Sequence, residues 1–508
     1  MPTVVEISAK RPQTSPTPKG RFAADVLTLA SGTMSAQVIS ILAAPLIARL
    51  FSPAAFGIYA LFVSVTGLLS MVVCWRYENA IVLPDSDEDA INAVGVSILC
   101  AVLTCGLTLI LTAIGHRAMV RWLHGPELEP FLWFVPPFVL AWGVLASLKM
   151  WNTRKRRFLR VTSVELISTF CSIAFQITAG FLGRVGGGTM ILAMMLGLLI
   201  STAFLFLQSW RECAQLFRQS LRLSRMKQLA RRYHRFPKFS AAGTLLNQLS
   251  WQLPTFLLSA FFNPAVVGQY ALGNRLMRVP MSLIGNNVSN VFFQRAAEGK
   301  HDGALAGYVE QTFRYLVRLS LFPCLVLSLV GRDLFVVVFG ARWAEAGVYT
   351  QILSVWTCFW FISSPLSGIF DVLDQQAFAL RFNLINLATR LISLLIGGLW
   401  GGPRLALILF ATSGVLVYGY MSLAILHRCS VSTAKMLKIT ARTALGFAPA
   451  GAVILAAQIA GVRPLGVVAI AVVLLLVYYA NLLRVDPLAR ELYKNIIRKL
   501  RPAQPAAA

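Results

Sequence analysis

Three arginines stand where this sequence can least accommodate charge. Arg275, Arg278 and Arg390 lie inside stretches that are otherwise apolar. A charge at the centre of a membrane helix costs about 2.5–3.5 kcal/mol on insertion scales, so each needs a reason. Arg275 and Arg278 are three residues apart and share one helical face, with Asn274 beside them. A guanidinium fork matches a phosphate or carboxylate in geometry as well as charge. One reading makes the three arginines the cationic wall of a cavity that receives an anionic substrate group, a phosphate or a carboxylate. The other pairs them with Glu165, Asp25, Asp371 or Asp374, or with backbone carbonyls. Gln37, Asn247 and Gln248 are polar groups in further apolar stretches. They line the same cavity and hydrogen-bond its substrate, or they join helix to helix. Arg76 and Glu78 follow the second apolar stretch and form either a gate or a plain helix end.

No other pattern points to catalysis. The eight cysteines, at 74, 100, 105, 171, 213, 324, 358 and 429, include no CxxC and mostly sit in apolar runs, as small buried hydrophobes do. The five histidines form no HExxH pair, so neither a metal nor a catalytic residue is expected. The acidic run DSDED at 85–89 has a DxD-like pattern, but no catalytic domain surrounds it, and it reads as a solvated loop. No cofactor is implied beyond a coupling ion, a proton or sodium.

The elements that must carry these residues follow from composition. Of 508 residues 57% are hydrophobic and only 13% charged, about half the charge of an average soluble chain. Mean hydropathy is +0.69. The chain is therefore an all-α polytopic membrane protein. Fourteen charge-poor stretches approach the roughly 20 residues that a membrane helix needs. The weakest are 268–291 and 315–331, which carry Arg275, Arg278 and Arg318. With fourteen spans, 34 of the 46 Lys and Arg fall on the side that holds both termini and only 8 in the opposite loops. By the positive-inside rule both termini are cytoplasmic. That topology explains the net charge of +26 without a nucleic-acid partner. Residues 1–22 read as a flexible tail rather than a cleaved signal peptide. The basic stretch 209–238 and the tail PLARELYKNIIRKL look like amphipathic helices on the inner leaflet, or simple topology anchors.

An internal repeat organises the spans. Residues 31–61 align without a gap to 242–272, with 12 identities in 31 positions. They cluster where FSPAAFGIYAL meets FNPAVVGQYAL. The copies lie six spans apart, an even number, so they enter the membrane in the same direction. Two parallel six-helix repeats around a central cavity, plus two extra helices, is the expected architecture, a scaffold for alternating access. The expected divisions are a tail (1–22), an N-lobe (23–238), a C-lobe (239–430), and two final spans with a basic tail (431–508).

The run RLFSPAAFGIYALF, the following RYENAIVLP at 76–84 and the block at 236–298 resemble bacterial polysaccharide-biosynthesis exporters. These are the lipid-linked oligosaccharide flippases of the multidrug/oligosaccharidyl-lipid/polysaccharide superfamily. The resemblance implies an inner-membrane transporter for undecaprenyl-diphosphate-linked oligosaccharide, serving O-antigen, capsule or exopolysaccharide synthesis. It also implies polymerase and chain-length proteins as partners. Two relatives in the superfamily are the alternatives. A multidrug antiporter would want acidic residues in its cavity, and a peptidoglycan-precursor flippase resembles the quoted blocks less. A membrane polymerase or ligase would want a large external loop, and the longest, roughly 116–130, is short.

Overall fold

The computed structural model describes residues 18–122 and 125–485; the C-terminal tail PLARELYKNIIRKL, expected to be amphipathic, and most of the N-terminal tail lie outside them. Those residues form helices, with no strand among them. We number the helices of ten residues or more: α1 (Pro18–Leu50), α2 (Pro53–Ser70), α3 (Asp87–Trp122), α4 (Val135–Arg154), α5 (Phe158–Phe181), α6 (Gly187–Ser220), α7 (Leu223–Arg232), α8 (Ala242–Phe261), α9 (Pro264–Pro280), α10 (Asn286–Asp302), α11 (Leu305–Phe339), α12 (Ala344–Ser363), α13 (Gln376–Trp400), α14 (Pro403–Arg428), α15 (Thr433–Ile459) and α16 (Pro464–Val485).

The expected count of fourteen spans is not confirmed. Ten helices are long and apolar enough to cross a membrane, or eleven if the bent pair Pro126–Leu132 and Val135–Arg154 is one span. The shortfall falls at α8, α9 and α12. The first two carry Asn247, Gln248 and Gln252, and Asn274, Arg275 and Arg278. Polar and charged groups of this kind lower the hydropathy of a helix below that of a span that faces lipid. Leu107, Ile110, Leu111 and Ile114 on α3, with Leu399 and Trp400 on α13, are exposed to the surroundings. An apolar exterior of this kind marks a multi-pass membrane protein.

The repeat is visible as local structure. Ser52 caps α2, its side chain accepting from the Ala55 amide at 3.2 Å. Asn263 caps α9 in the same way, on the Val266 amide at 3.0 Å. A capping side chain followed by proline starts each helix, because Pro presets the helical φ and lacks only an amide that would go unpaired.

α2 and α9 then cross at the closest approach that glycine permits. A Cβ on Gly57 would lie 1.7 Å from the Pro264 carbonyl oxygen, and one on Gly268 would lie 1.8 Å from that of Pro53. Each repeat thus supplies the glycine that receives the other's proline. Elsewhere α5 packs between α1 and α6, and α12 packs against α11 and α14. The last two helices lie on α11 through Phe322, Val326, Val330, Ile454 and Val467.

The acidic run differs from the expected solvated loop. Asp87 accepts from Arg154 and Lys155, and both carboxylate oxygens of Asp89 accept from Arg225, at 2.6 and 2.8 Å. The run fastens α3 to α4 and to the basic helix α7.

Candidate functional site

Arg278 and Arg390 come from helices far apart in sequence and meet at one aromatic ring. The Arg278 guanidinium lies 4.5 Å from the ring centroid of Trp251 on α8, and that of Arg390 lies 4.6 Å from the same ring. Such cation–π contacts are worth about 2 kcal/mol when desolvated. They hold two cations at one indole ring, an arrangement that an anion would relieve.

The two arginines are not equivalent. Arg390 is 1% exposed. It donates to the Ser250 carbonyl at 3.1 Å, to the Ser250 hydroxyl at 3.2 Å and to the Tyr418 hydroxyl at 3.2 Å. The carbonyl is available because Pro254, four residues on, has no N–H to donate to it. Tyr479 repeats the device on α11, donating to the Leu319 carbonyl that Pro323 leaves free, at 2.9 Å. Arg390 therefore sits behind the wall of the site, bound to backbone. Arg278 is half-buried, and its Nε, like that of Arg390, is buried without a hydrogen-bond partner. Arg275, one turn earlier on α9, is exposed, with Asn274 half-buried beside it.

Two of the carboxylates that might have neutralised these charges are engaged elsewhere. Glu165 pairs with Lys149 and Asp374 with Lys300. Among the described residues no carboxylate forms an ion pair with Arg275, Arg278 or Arg390.

The repeat-related glutamines lie at contacts between the two halves. Gln37 on α1 donates to the Ser282 hydroxyl at 2.7 Å. Gln248 on α8 lies beside Gly67 on α2, next to Gln252, which accepts from the Ser64 hydroxyl at 3.1 Å. By the offset of the repeat, Ser64 and Gly67 stand where the second copy has Arg275 and Arg278. The cationic face is thus a property of one repeat alone. Asn247 is exposed one residue away, on the wall of a cavity of about 340 Å³.

Arg76 and Glu78 lie apart from this cluster. They pair at 3.5 Å in a 3-10 segment packed against α3 and α4. Burial pushes the Glu78 carboxyl above its usual range, opposed by its own backbone amide and by Arg76.

Sequence reasoning missed Trp251, Ser250, Tyr418 and Asn386. Pro254 is a signal for Ser250, since it marks an unpaired carbonyl four residues earlier. Trp251, Tyr418 and Asn386 carry no such mark.

The sequence matches a family described as polysaccharide biosynthesis protein over residues 46–348. It is 21% identical over 330 residues to the succinoglycan biosynthesis transport protein ExoT of Rhizobium meliloti (strain 1021), covering 64% of this chain and 63% of that one. The match thus spans under two thirds of that relative's length. Identity to the amylovoran biosynthesis protein AmsL of Erwinia amylovora is 19% over 293 residues, covering 56% of this chain and 72% of that one. Among solved structures, the fold is similar to the lipid II flippase MurJ in an inward closed conformation. The TM-score is 0.65 at 12% identity, over 90% of this chain and 99% of that one. It is also similar to an inward-facing multidrug resistance MATE family transporter of the MOP superfamily. Here the TM-score is 0.51 at 15% identity, over 81% and 97%.

Proposed function

The chain belongs to the polysaccharide biosynthesis protein family, and from that premise we propose that it is a transporter that flips polyprenyl-diphosphate-linked oligosaccharide. It works by alternating access, from the cytoplasmic to the periplasmic leaflet of the bacterial inner membrane. The observation that carries this reading is Arg278, half-buried, stacked on Trp251 beside Arg390, with no carboxylate partner among the described residues. In this reading the diphosphate docks at Arg278 and Arg275, while Arg390 holds Trp251 in place. The family name, and the transport named for the succinoglycan relative, support the same assignment. A multidrug antiporter is disfavoured because the charges at the site are positive.

The test is translocation of a labelled polyprenyl-diphosphate oligosaccharide in proteoliposomes. Charge-assisted hydrogen bonds contribute about 1.5–3 kcal/mol, so Arg278→Ala should slow translocation by about tenfold to 100-fold. An unchanged rate would remove Arg278 from substrate handling.

Orientation has its own test. With both termini cytoplasmic, cysteines introduced near Gly186 and Asn263 react with an impermeant thiol reagent from outside. Those near Lys155 and Lys227 react only after permeabilisation. The reversed pattern would invert the proposed direction of transport.

A further inference from the structure

Trp251 joins the paired arginines to the cavity that Asn247 lines. The cavity lies between α8, α12, the segment that follows α12, α13 and α14, and its walls include Trp251, Tyr418, Asn247, Asn383, Asn386 and Asp371. At about 340 Å³ it is at the small end of ligand cavities, which run from about 300 to 1,000 Å³. Its chemistry mixes flat aromatic surface with amides. Trp251 packs edge-on against Trp360, with centroids 5.2 Å apart, and Tyr418 against Phe382 at 5.7 Å. Asn386 is 7% exposed and donates to the Tyr418 hydroxyl at 3.4 Å. Its Oδ1 is buried without any hydrogen-bond partner. A buried acceptor left unpaired is costly, and a ligand hydroxyl would relieve it. Asn383 and Asn247 add two exposed amides able to donate and accept.

We propose that this cavity is a subsite for one uncharged sugar ring of the substrate, packed against the aromatic side chains that line it and hydrogen-bonded by Asn383 and Asn386. The inference rests on the lipid-linked oligosaccharide reading above and deepens it. Arg278 and the cavity meet at Trp251, so a diphosphate on the guanidinium and a sugar in the cavity are neighbours, as they are in a glycolipid. Asp371 sets the charge preference. It has no ion pair among the described residues, so its carboxylate repels a uronic acid or any other anionic sugar at this position. The cavity also lies where loading requires it. Asn247 is about 21 Å along α8 from Phe261 at 1.5 Å per residue, and the α2–α9 crossing follows directly after. The sugar therefore enters at the end of the bundle away from the closed crossing.

The experiment compares probes that differ only in the sugar. Purified protein in nanodiscs is titrated with bare decaprenyl diphosphate, with the same lipid carrying one glucose, galactose or N-acetylglucosamine, and with it carrying glucuronic acid. At least one neutral sugar should raise affinity about tenfold over the bare lipid, the worth of one to two hydrogen bonds. Asn383→Ala and Asn386→Ala should each reduce that increment and leave bare-lipid affinity unchanged; the exposed Asn383 guards against a folding artefact at Asn386. Glucuronic acid should give no increment until Asp371→Asn admits it. Arg278→Ala should lower affinity for every diphosphate probe equally. An increment that survives both asparagine variants, or none for any neutral sugar, overturns the sugar subsite. If Arg278→Ala changes nothing while the asparagine variants erase the increment, the diphosphate reading fails and the sugar subsite stands.

Discussion

Gly57→Val abolishes export, and the reason is a contact between backbones. The added Cβ would fall 1.7 Å from the Pro264 carbonyl oxygen, roughly half of an ordinary contact distance. No side chain can move aside there. α2 and α9 must separate, at a cost of about 3 kcal/mol or more for overpacking at a rigid site, which depopulates the closed crossing about 100-fold. Gly268→Val meets Pro53 in the same way at 1.8 Å and should behave alike. In the proposed alternating-access cycle the crossing would both form and part, so trapping it apart should stop the cycle without removing any substrate contact. Spin labels at Ala54 and Ala265 should report a longer distance in both variants than in the unmodified protein. Normal glycan display by Gly57→Val, or an unchanged label distance, would refute the crossing as a gate.

The second expected result separates binding charge from structural charge. In cells lacking the native gene, Arg275→Ala/Arg278→Ala should lose glycan display while membrane abundance stays normal. Breaking a buried ion pair costs about 3–5 kcal/mol because it strands the partner, but among the described residues these arginines have no carboxylate to strand. Arg→Lys at either position should rescue only in part, since an ammonium keeps the charge and loses the fork. Arg390→Met supplies the contrast. It leaves the Ser250 carbonyl unpaired and takes one partner from the Tyr418 hydroxyl, an unmade-bond cost of about 1–3 kcal/mol. Removing a buried charge offsets part of that loss, so abundance should fall moderately. Full display by the double variant at normal abundance would exclude the cationic site. A double variant that loses abundance along with display would make the arginines structural.

Much of the fold follows from the sequence alone, because lipid imposes a strict rule. Backbone groups must pair within a helix, so apolar stretches near 20 residues declare themselves. Capped starts at Ser52–Pro53 and Asn263–Pro264 follow from local chemistry, and their shared spacing exposes the repeat. Charge at Arg275, Arg278 and Arg390 is legible for the same reason, since apolar surroundings make it conspicuous. What those charges meet is not legible. Trp251 and Tyr418 look like ordinary membrane aromatics until α8, α13 and α14 come together. Arg390 reads as cavity wall in the sequence, yet the fold encloses it against a carbonyl that Pro254 freed 136 residues earlier in the chain. The number of spans was also beyond composition, because α8, α9 and α12 fall short of the length or hydropathy of a membrane-crossing helix. Sequence determines which segments must leave water. Only the tertiary structure decides which polar groups they hide together, since those contacts join residues that no local rule connects.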